Sequence, residues 1–312
     1  MKLSQIVAAY VAHRRGMGMR FHTEARVLRS FCRALGEVSM PEITADQVLA
    51  FLAGTGPLTR YWERKHCALS GLYRFALARG HVAQSPLPRT VPRPQQVFVP
   101  YIYSQAELRR LLEAVAAIDH PRCRIDPDTF RTILLLLYGA GLRISEALTL
   151  TVADVDLDAR LLCIRESKFY KSRLVPIGDD LLRILSSYMA RRGAQHVEPS
   201  SPLFVSRRGT PVTRQNAEMA FCRLRVRADV VCEAAGARHQ PRLHDLRHAF
   251  AVHRLVSWYR DGADVQRLLP KLATYLGHVH IAGTQRYLTL TPELLRQASL
   301  RFERYAMEPS HE

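Results

Sequence analysis

Six side chains in four short motifs have the types needed to cut a phosphodiester. They are two guanidiniums, one ammonium, two imidazoles and one phenol, found at Arg143, Lys168, His244, Arg247, His278 and Tyr287. A phosphoryl group under attack gains negative charge on its non-bridging oxygens, and permanently charged guanidiniums can stabilise that charge without a metal. A phenol needs cationic neighbours to become a good nucleophile, and a departing sugar hydroxyl needs a proton from Lys or His. The set therefore predicts a transesterification with a tyrosine nucleophile.

The first motif is GAGLRISEAL at residues 139–148. Its arginine, Arg143, directly follows a glycine-rich break and falls near a predicted helix start, where backbone N–H groups also favour anions. A surface arginine at an ordinary helix start is the alternative for this motif taken alone. The segment is not a phosphate-binding P-loop, because no GKS or GKT follows the glycines.

The second motif is SKFYKSRLVPI at residues 167–177, a basic hairpin tip between predicted strands at 161–165 and 173–177. Either Lys168 or Lys171 could present its ammonium group there to a phosphate or a leaving oxygen. The alternative is a solvated turn without a chemical role.

The third motif, HDLRH, carries an imidazole and a guanidinium on one predicted helix face, because His244 and Arg247 lie three residues apart. His244 and His248 also have the four-residue spacing of a zinc-binding HExxH helix. That alternative fails on chemistry, because Asp245 occupies the position that needs a glutamate base and no third ligand is convincingly placed.

The fourth motif, LGHVHIAGTQRY, places Tyr287 nine residues after His278, with small residues between them. This spacing predicts a nucleophile on a separate segment. A lone tyrosine is nearly always structural, so the order of all six residues along the chain is what makes the combination specific. The predicted chemistry requires neither a cofactor nor a metal.

The elements that must position these motifs lie mostly beyond a proline-rich stretch. Five prolines between residues 84 and 103 forbid regular helix and favour an extended tether. We therefore expect a helical domain over 1–90, a linker over 91–103 and a catalytic domain over 104–312. Before the break, apolar residues recur at intervals of three and four, which predicts helices at 6–13, 23–35, 44–52 and 59–79.

Capping boxes support two of the predicted helix starts, with Thr44 before Gln47 and Ser104 before Glu107. Past the break we expect helices at 104–117, 127–139 and 292–305, beside the two strands. The chain is therefore predicted to be mainly α with a small β-sheet, and its catalytic domain to be α+β.

Composition favours a nucleic acid as partner. The 312-residue chain has 45 Lys and Arg against 28 Asp and Glu, a net charge of +17, and its first 95 residues are the more densely basic part. Such a field attracts polyanions, and guanidiniums grip two phosphate oxygens at once. On the predicted helix at 59–79, a basic outer face formed by Arg60, Arg64, Lys65 and His66 is a candidate DNA contact. No apolar stretch approaches the roughly 20 residues that span a membrane, and the six cysteines show no CxxC spacing, so we expect a cytoplasmic protein without a membrane partner.

In their residues and in their order along the chain, the four motifs resemble those of the tyrosine recombinases, the phage-integrase family that includes the bacterial chromosome-dimer resolvases. The resemblance is strong over about residues 100–300 and weak over 20–90, where the sequence is similar to the last helices of the family's core-binding domain. It implies two domains that close as a C-shaped clamp around double-stranded DNA at specific core sites. It also implies a synapse of four protomers, a Holliday-junction intermediate and a place on the bacterial nucleoid.

The resemblance implies a covalent reaction at Tyr287. Tyr287 would attack the scissile phosphate and form a 3′-phosphotyrosyl link, while Arg143 and Arg247 clamp the phosphate oxygens. Lys168 would protonate the 5′-hydroxyl leaving group. The family's hairpin usually has glycines around its lysine, whereas this one has the pair FY, so the choice between Lys168 and Lys171 stays open.

The resemblance also implies supporting roles. His244 would help to move protons, and His278 would hydrogen-bond the phosphate. Glu146 and Asp245 are candidates for support behind these residues. The stretch 258–271 is longer than usual between the Arg and His motifs, and we expect a branch-specific loop there, as in transposon-associated members.

Two other functions fit part of the pattern. A type IB topoisomerase uses similar chemistry but relaxes any supercoiled DNA without a partner site. A DNA-binding regulator with a decayed recombinase domain would need only the basic surface, although one lost residue would suffice for decay and none of the six is missing. The sequence leaves open the DNA target, the choice among integration, excision, resolution and transposition, any accessory recombination proteins, and the oligomeric state without DNA.

Overall fold

A computed structural model describes residues 1–92, 100–120, 123–165, 172–193, 197–232, 240–289, 294–297, 299, 300 and 303. The chain divides into two compact units, Met1–Phe98 and Val99–Glu312. The division falls inside the stretch predicted as a linker, 91–103. In the described part of the chain no helix is long and apolar enough to cross a membrane.

The described residues of the first unit form four α-helices, α1 (Leu3–Gly16), α2 (His22–Leu35), α3 (Ala45–Ala53) and α4 (Arg60–Ala78). Their predicted positions are confirmed, and α1 extends about one turn beyond each predicted end. Thr44 caps α3 and exchanges hydrogen bonds with Gln47, as the capping box predicts. One apolar face of each helix meets in a single core that includes Phe31, Leu69 and Tyr73.

In its described residues, the second unit is mainly helical and holds one small sheet. Its helices are α5 (Gln105–Glu113), α6 (Pro127–Gly139), α7 (Ile144–Leu148), α8 (Asp179–Arg192), α9 (Arg214–Arg227), α10 (Asp245–Arg260), α11 (Val265–Leu276) and α12 (Ala282–Gln285). A 3-10 helix at Arg286–Thr289 follows α12. Ser104 caps α5 through the predicted capping box with Glu107. The predicted α6 is confirmed with its bounds, because Asp126 caps its start and Pro127 suits a first helical position.

Three short antiparallel strands form the sheet, in the order β1 (Val155–Asp156), β2 (Leu161–Ile164) and β3 (Arg173–Pro176). Ile164 pairs with Arg173, so β2 and β3 make the predicted hairpin. The two-residue β1 was not predicted, because so short a strand shows no periodicity. The hairpin tip at 166–171 lies outside the described residues.

The expectation of a loop at 258–271 is wrong. Helix α10 continues to Arg260, only four residues intervene, and α11 begins at Val265. The buried residues of α11 recur at intervals of three and four, and they pack with Leu255 of α10 and with Leu294 in a second core of this unit. Of the helix predicted at 292–305, residues 294–297 are described and are helical, and the rest lies largely outside the described residues.

Candidate active site

Arg143 is placed by a turn that requires glycine. Gly141 has φ +59°, and a Cβ on it would lie 2.5 Å from the Phe250 ring. The chain then enters α7 with Arg143 as its N-cap. The Arg143 guanidinium donates to Glu146 Oε1 at 2.6 Å and to the Gly277 carbonyl at 2.9 Å, so it links the first motif to the fourth.

Glu146 is the common counter-ion of three arginines. Its side chain is 4% exposed, and Arg173 of β3 donates to both of its oxygens, at 3.0 and 2.9 Å. Arg247 Nη1 lies 3.8 Å from Glu146 Oε2. Burial alone would raise the pKa of Glu146. Hydrogen bonds and positive charges from Arg173 and Arg143 outweigh burial and lower this pKa to about 2. Three guanidiniums therefore share one carboxylate, and this cluster carries two net positive charges.

Arg247 lies on the first turn of α10 and is almost fully buried. Its guanidinium donates to the carbonyls of Gly141, at 2.7 Å, and Leu276. Burial and the positive charge of Arg143 lower the pKa of Arg247 to about 10, so it remains a cation at neutral pH. The buried guanidinium thus joins the break before α7 to the end of α11.

Three imidazoles lie near the phenol. Tyr287 Oη is 2.9 Å from His248 Nδ1, and the His248 and His244 rings meet edge to face with centroids 5.0 Å apart. The His278 ring stacks on the Tyr287 ring at 6.1 Å, and its Nδ1 is 2.7 Å from Thr284 Oγ1. Burial, together with neighbouring positive charge, lowers the pKa of each of the three imidazoles to about 4. All three are therefore neutral at pH 7.

Tyr287 is 3% exposed and sits on the 3-10 helix after α12. Burial raises the pKa of its phenol, and the positive charges of Arg247 and Arg143 offset this only in part. The resting side chain is therefore a neutral phenol beside neutral imidazoles. Among the described residues, no group of three or more His, Cys, Asp or Glu side chains is placed to hold a metal ion.

The model described as the phage integrase family matches residues 103–293. The chain belongs to this family. This tyrosine recombinase is 38% identical over 307 residues to the integrase/recombinase y4rB of Sinorhizobium fredii, covering 96% of each chain. It is also 34% identical over 229 residues to the tyrosine recombinase XerD of Corynebacterium glutamicum, covering 73% of this chain and 69% of that one.

Solved structures of integrases share the fold of the recombinase. The Tn1549 transposon integrase in complex with transposon right end DNA matches with a TM-score of 0.69 and 17% identity, over 98% of this chain and all of that one. The lambda integrase tetramer bound to a Holliday junction matches with a TM-score of 0.66 and 17% identity, over 92% and 77% of the two chains.

The structure brings together five of the six site residues that the sequence singled out. Arg143, Arg247, His278 and Tyr287 lie in one cluster, and His244 joins it through the His248 ring. The sixth, Lys168, and its alternative Lys171 lie outside the described residues. Asp245, a candidate for support, is buried and pairs with Arg242 rather than with a member of the cluster.

Sequence reasoning missed two members of the recombinase's cluster, His248 and Arg173. The signal for His248 was present, because a residue four positions after His244 shares its helix face. For Arg173 the signal was strand alternation. It shares a face of β3 with the buried Val175, whereas Leu174 between them is exposed.

Proposed function

We propose that the recombinase cuts double-stranded DNA by attack of Tyr287 Oη on a scissile phosphate, which forms a 3′-phosphotyrosyl link. The observation that carries this proposal is the position of Tyr287 Oη. It is held against an imidazole, inside a cluster that carries two net positive charges from Arg143, Arg173, Arg247 and Glu146. A phenol so placed has both a proton acceptor and a site for the anionic phosphate beside it.

The two motif arginines would hold the phosphate and stabilise the added charge of the transition state. A guanidinium has five N–H donors. In the described part of the chain, Arg143 and Arg247 each use two of them on Glu146 or on backbone carbonyls, which leaves donors for phosphate oxygens. Because Glu146 and backbone carbonyls already hold these guanidiniums in place, the arginines need little reorganisation during the reaction.

The leaving 5′-oxygen needs a proton, and we assign that role to Lys168, with Lys171 as the alternative on the same hairpin. His278, beside the Tyr287 ring, would hydrogen-bond the phosphate, and His244 would help to move protons. Rejoining reverses the step when a 5′-hydroxyl attacks the phosphotyrosyl link. If that hydroxyl comes from a second DNA site, the result is strand exchange.

The partners follow from the relatives. Solved integrases of this fold are bound to DNA and, in one case, assembled as a tetramer on a Holliday junction. We infer that the recombinase likewise joins two specific core sites within a tetramer, on nucleoid DNA in a bacterial cytoplasm. The Tn1549 likeness favours a mobile element as its source.

The first unit would supply part of the DNA contact through helix α4. Arg60 and Arg64 are exposed on its outer face and suit phosphate contacts. Lys65 is instead tied to the Phe51 carbonyl at 2.6 Å, and His66 contacts the Pro88 carbonyl at 3.1 Å. The basic face available to DNA is therefore narrower than the sequence suggested.

The test uses nicked duplex fragments from the ends of the element that encodes the recombinase. With a nick just beyond the cleavage site, the short fragment that carries the 5′-hydroxyl diffuses away after cleavage and cannot rejoin. The covalent adduct therefore accumulates and is seen as an SDS-resistant band. We expect the adduct with the wild type and with Tyr259→Phe, a half-buried tyrosine on α10, and none with Tyr287→Phe. The mapped adduct also gives the cleavage position.

Each other outcome removes one proposal. An adduct with Tyr287→Phe would show that another residue is the nucleophile. DNA binding by the wild type without any adduct would favour a DNA-binding regulator. Relaxation of any supercoiled plasmid by a monomer would favour a topoisomerase instead of strand exchange between two sites.

A further inference from the structure

We propose that His248, and not His244, accepts the proton of the Tyr287 hydroxyl during DNA cleavage and returns it during rejoining. This inference rests on the function proposed above. It adds one catalytic residue to the six predicted from the motifs, and it separates proton removal at the nucleophile from proton delivery at the leaving group.

The geometry singles out one of three imidazoles. His248 Nδ1 lies 2.9 Å from Tyr287 Oη, which is hydrogen-bonding distance. The Nδ1 atom of His278 is already engaged by Thr284 Oγ1, and its ring stacks on the tyrosine. His244 contacts the edge or face of the His248 ring. In the described part of the chain, Tyr287 Oη hydrogen-bonds to no imidazole other than His248.

The surroundings keep His248 ready to accept a proton. Burial lowers its pKa to about 4, and Arg247, Arg242, Arg286 and His278 add to this effect. A neutral imidazole has one nitrogen with a free lone pair. With the proton on Nε2, His248 Nδ1 accepts a hydrogen bond from the Tyr287 hydroxyl. Burial, which raises the pKa of the Tyr287 phenol, keeps the proton on the phenol until a phosphate is attacked.

The proposed step is balanced in atoms and charge. As the bond between Tyr287 Oη and phosphorus forms, the phenol oxygen becomes a weaker base and its proton passes to His248 Nδ1. The bond between phosphorus and the 5′-oxygen breaks, and that oxygen takes a proton from the lysine of the hairpin. The imidazolium then lies beside the negative charge that the phosphoryl group gains. In rejoining, His248 returns its proton to the departing Tyr287 oxygen.

The test compares variants of the full-length recombinase in single-turnover cleavage of the nicked duplex. His248→Ala removes the imidazole. His248→Asn keeps a polar acceptor near the place of Nδ1 but cannot take up a proton at neutral pH. The control is His253→Asn, a half-buried histidine five residues further along the same helix, within hydrogen-bonding distance of Tyr138. DNA affinity and melting temperature are measured for all three variants.

We expect both His248 variants to bind DNA normally and to form the adduct about 10²- to 10⁴-fold more slowly than the wild type, the usual contribution of a general base. Free imidazole should accelerate His248→Ala, in proportion to the neutral fraction, and should not accelerate His253→Asn. Replacing the leaving 5′-oxygen by sulfur, which needs no proton to depart, should leave the defect in place.

Three results would overturn the inference while the wild type still forms its adduct. Cleavage by His248→Asn at the wild-type rate would mean that His248 only positions the phenol. A defect that disappears with the sulfur leaving group would assign His248 to the leaving group. A cleavage defect of equal size in His253→Asn would mean that the slow cleavage comes from a general loss of folding. Absence of an adduct with the wild type would instead overturn the proposed function, and this inference with it.

Discussion

The two halves of the site are held in different ways. The arginine half consists of Arg143, Arg173 and Arg247 around Glu146. Every one of these side chains is largely buried. Arg143 and Arg173 donate hydrogen bonds to Glu146, Arg247 forms an ion pair with it, and all three guanidiniums donate to backbone carbonyls. These contacts link residues far apart in sequence, so the arginine half depends on the fold of the second unit.

The tyrosine half has far fewer polar ties. Tyr287 lies on a four-residue 3-10 helix that follows the four-residue α12. Its hydroxyl contacts His248, and its ring packs in the apolar core shared by α10 and α11. The contrast shows that the arginine half is fixed mainly by electrostatics, whereas Tyr287 is held mainly by packing.

The largest expected effect comes from removing the shared counter-ion. Glu146→Gln leaves Arg173 buried without a charged partner, which should lower the free energy of unfolding by about 3–5 kcal/mol. Urea denaturation at pH 7 measures this. The double variant Glu146→Gln/Arg173→Met should recover part of the loss, because it removes the orphaned charge. A Glu146→Gln protein as stable as the wild type would refute the counter-ion role.

Acid should weaken the arginine half in a defined pH range. The pKa of Glu146 is lowered from 4.5 to about 2 in the folded protein, so its stabilising effect is complete above pH 4.5 and fades as the pH falls toward 2. The shift corresponds to a stabilisation on the order of 3 kcal/mol. The stability difference between wild type and Glu146→Gln should therefore shrink between pH 5 and pH 2. A difference independent of pH would contradict this.

A smaller effect should follow from crowding the arginine half. Gly277 has φ +65°, and a Cβ on it would lie 2.8 Å from Arg173 Nη1. Gly193, at the end of α8, has φ +67° with open space around it. Gly193→Ala should cost about 1–2 kcal/mol from backbone strain alone. Gly277→Ala should cost about 1–3 kcal/mol more, because Arg173 must move. Equal melting temperatures for the two variants would show that the close approach is unimportant.

The smallest effect on stability should come from the tyrosine half. Tyr287→Phe removes the hydrogen bond of the hydroxyl to His248 and its contact with Arg247 but keeps the ring, so it should cost about 1–2 kcal/mol. Tyr259→Phe, on a less buried ring of α10, is the control for the loss of a hydroxyl outside the site. A loss as large as that of Glu146→Gln would show that the two halves are held equally firmly, and the contrast between them would fail.

Sequence patterns predicted the features that depend on neighbouring residues, such as helices and their starts. Apolar periodicity placed helices such as α6, and the capping residues Thr44 and Ser104 marked two helix starts. The order of the motifs identified the family, which the match over residues 103–293 shows. The interval 258–271 was misjudged from its length, although the apolar spacing of α11 carried a helical signal.

The remaining features depend on contacts between distant segments. Arg143 reaches Gly277 across 134 positions, and Tyr287 meets His248 across 39. Contacts between such distant residues leave no periodic signal in the sequence. Arg173 is the clearest example, because its inward position was readable from strand alternation but its partner Glu146 was not. Pairing of buried charges is decided by the tertiary fold.

The close fit of Gly277 against Arg173 has a consequence for how this site can change over generations. A side chain gained at position 277 would strike the guanidinium unless position 173 became smaller at the same time. A smaller residue at 173 would in turn remove the guanidinium that binds both oxygens of Glu146. The three positions therefore form one inherited unit, and a lineage should exchange them together or not at all.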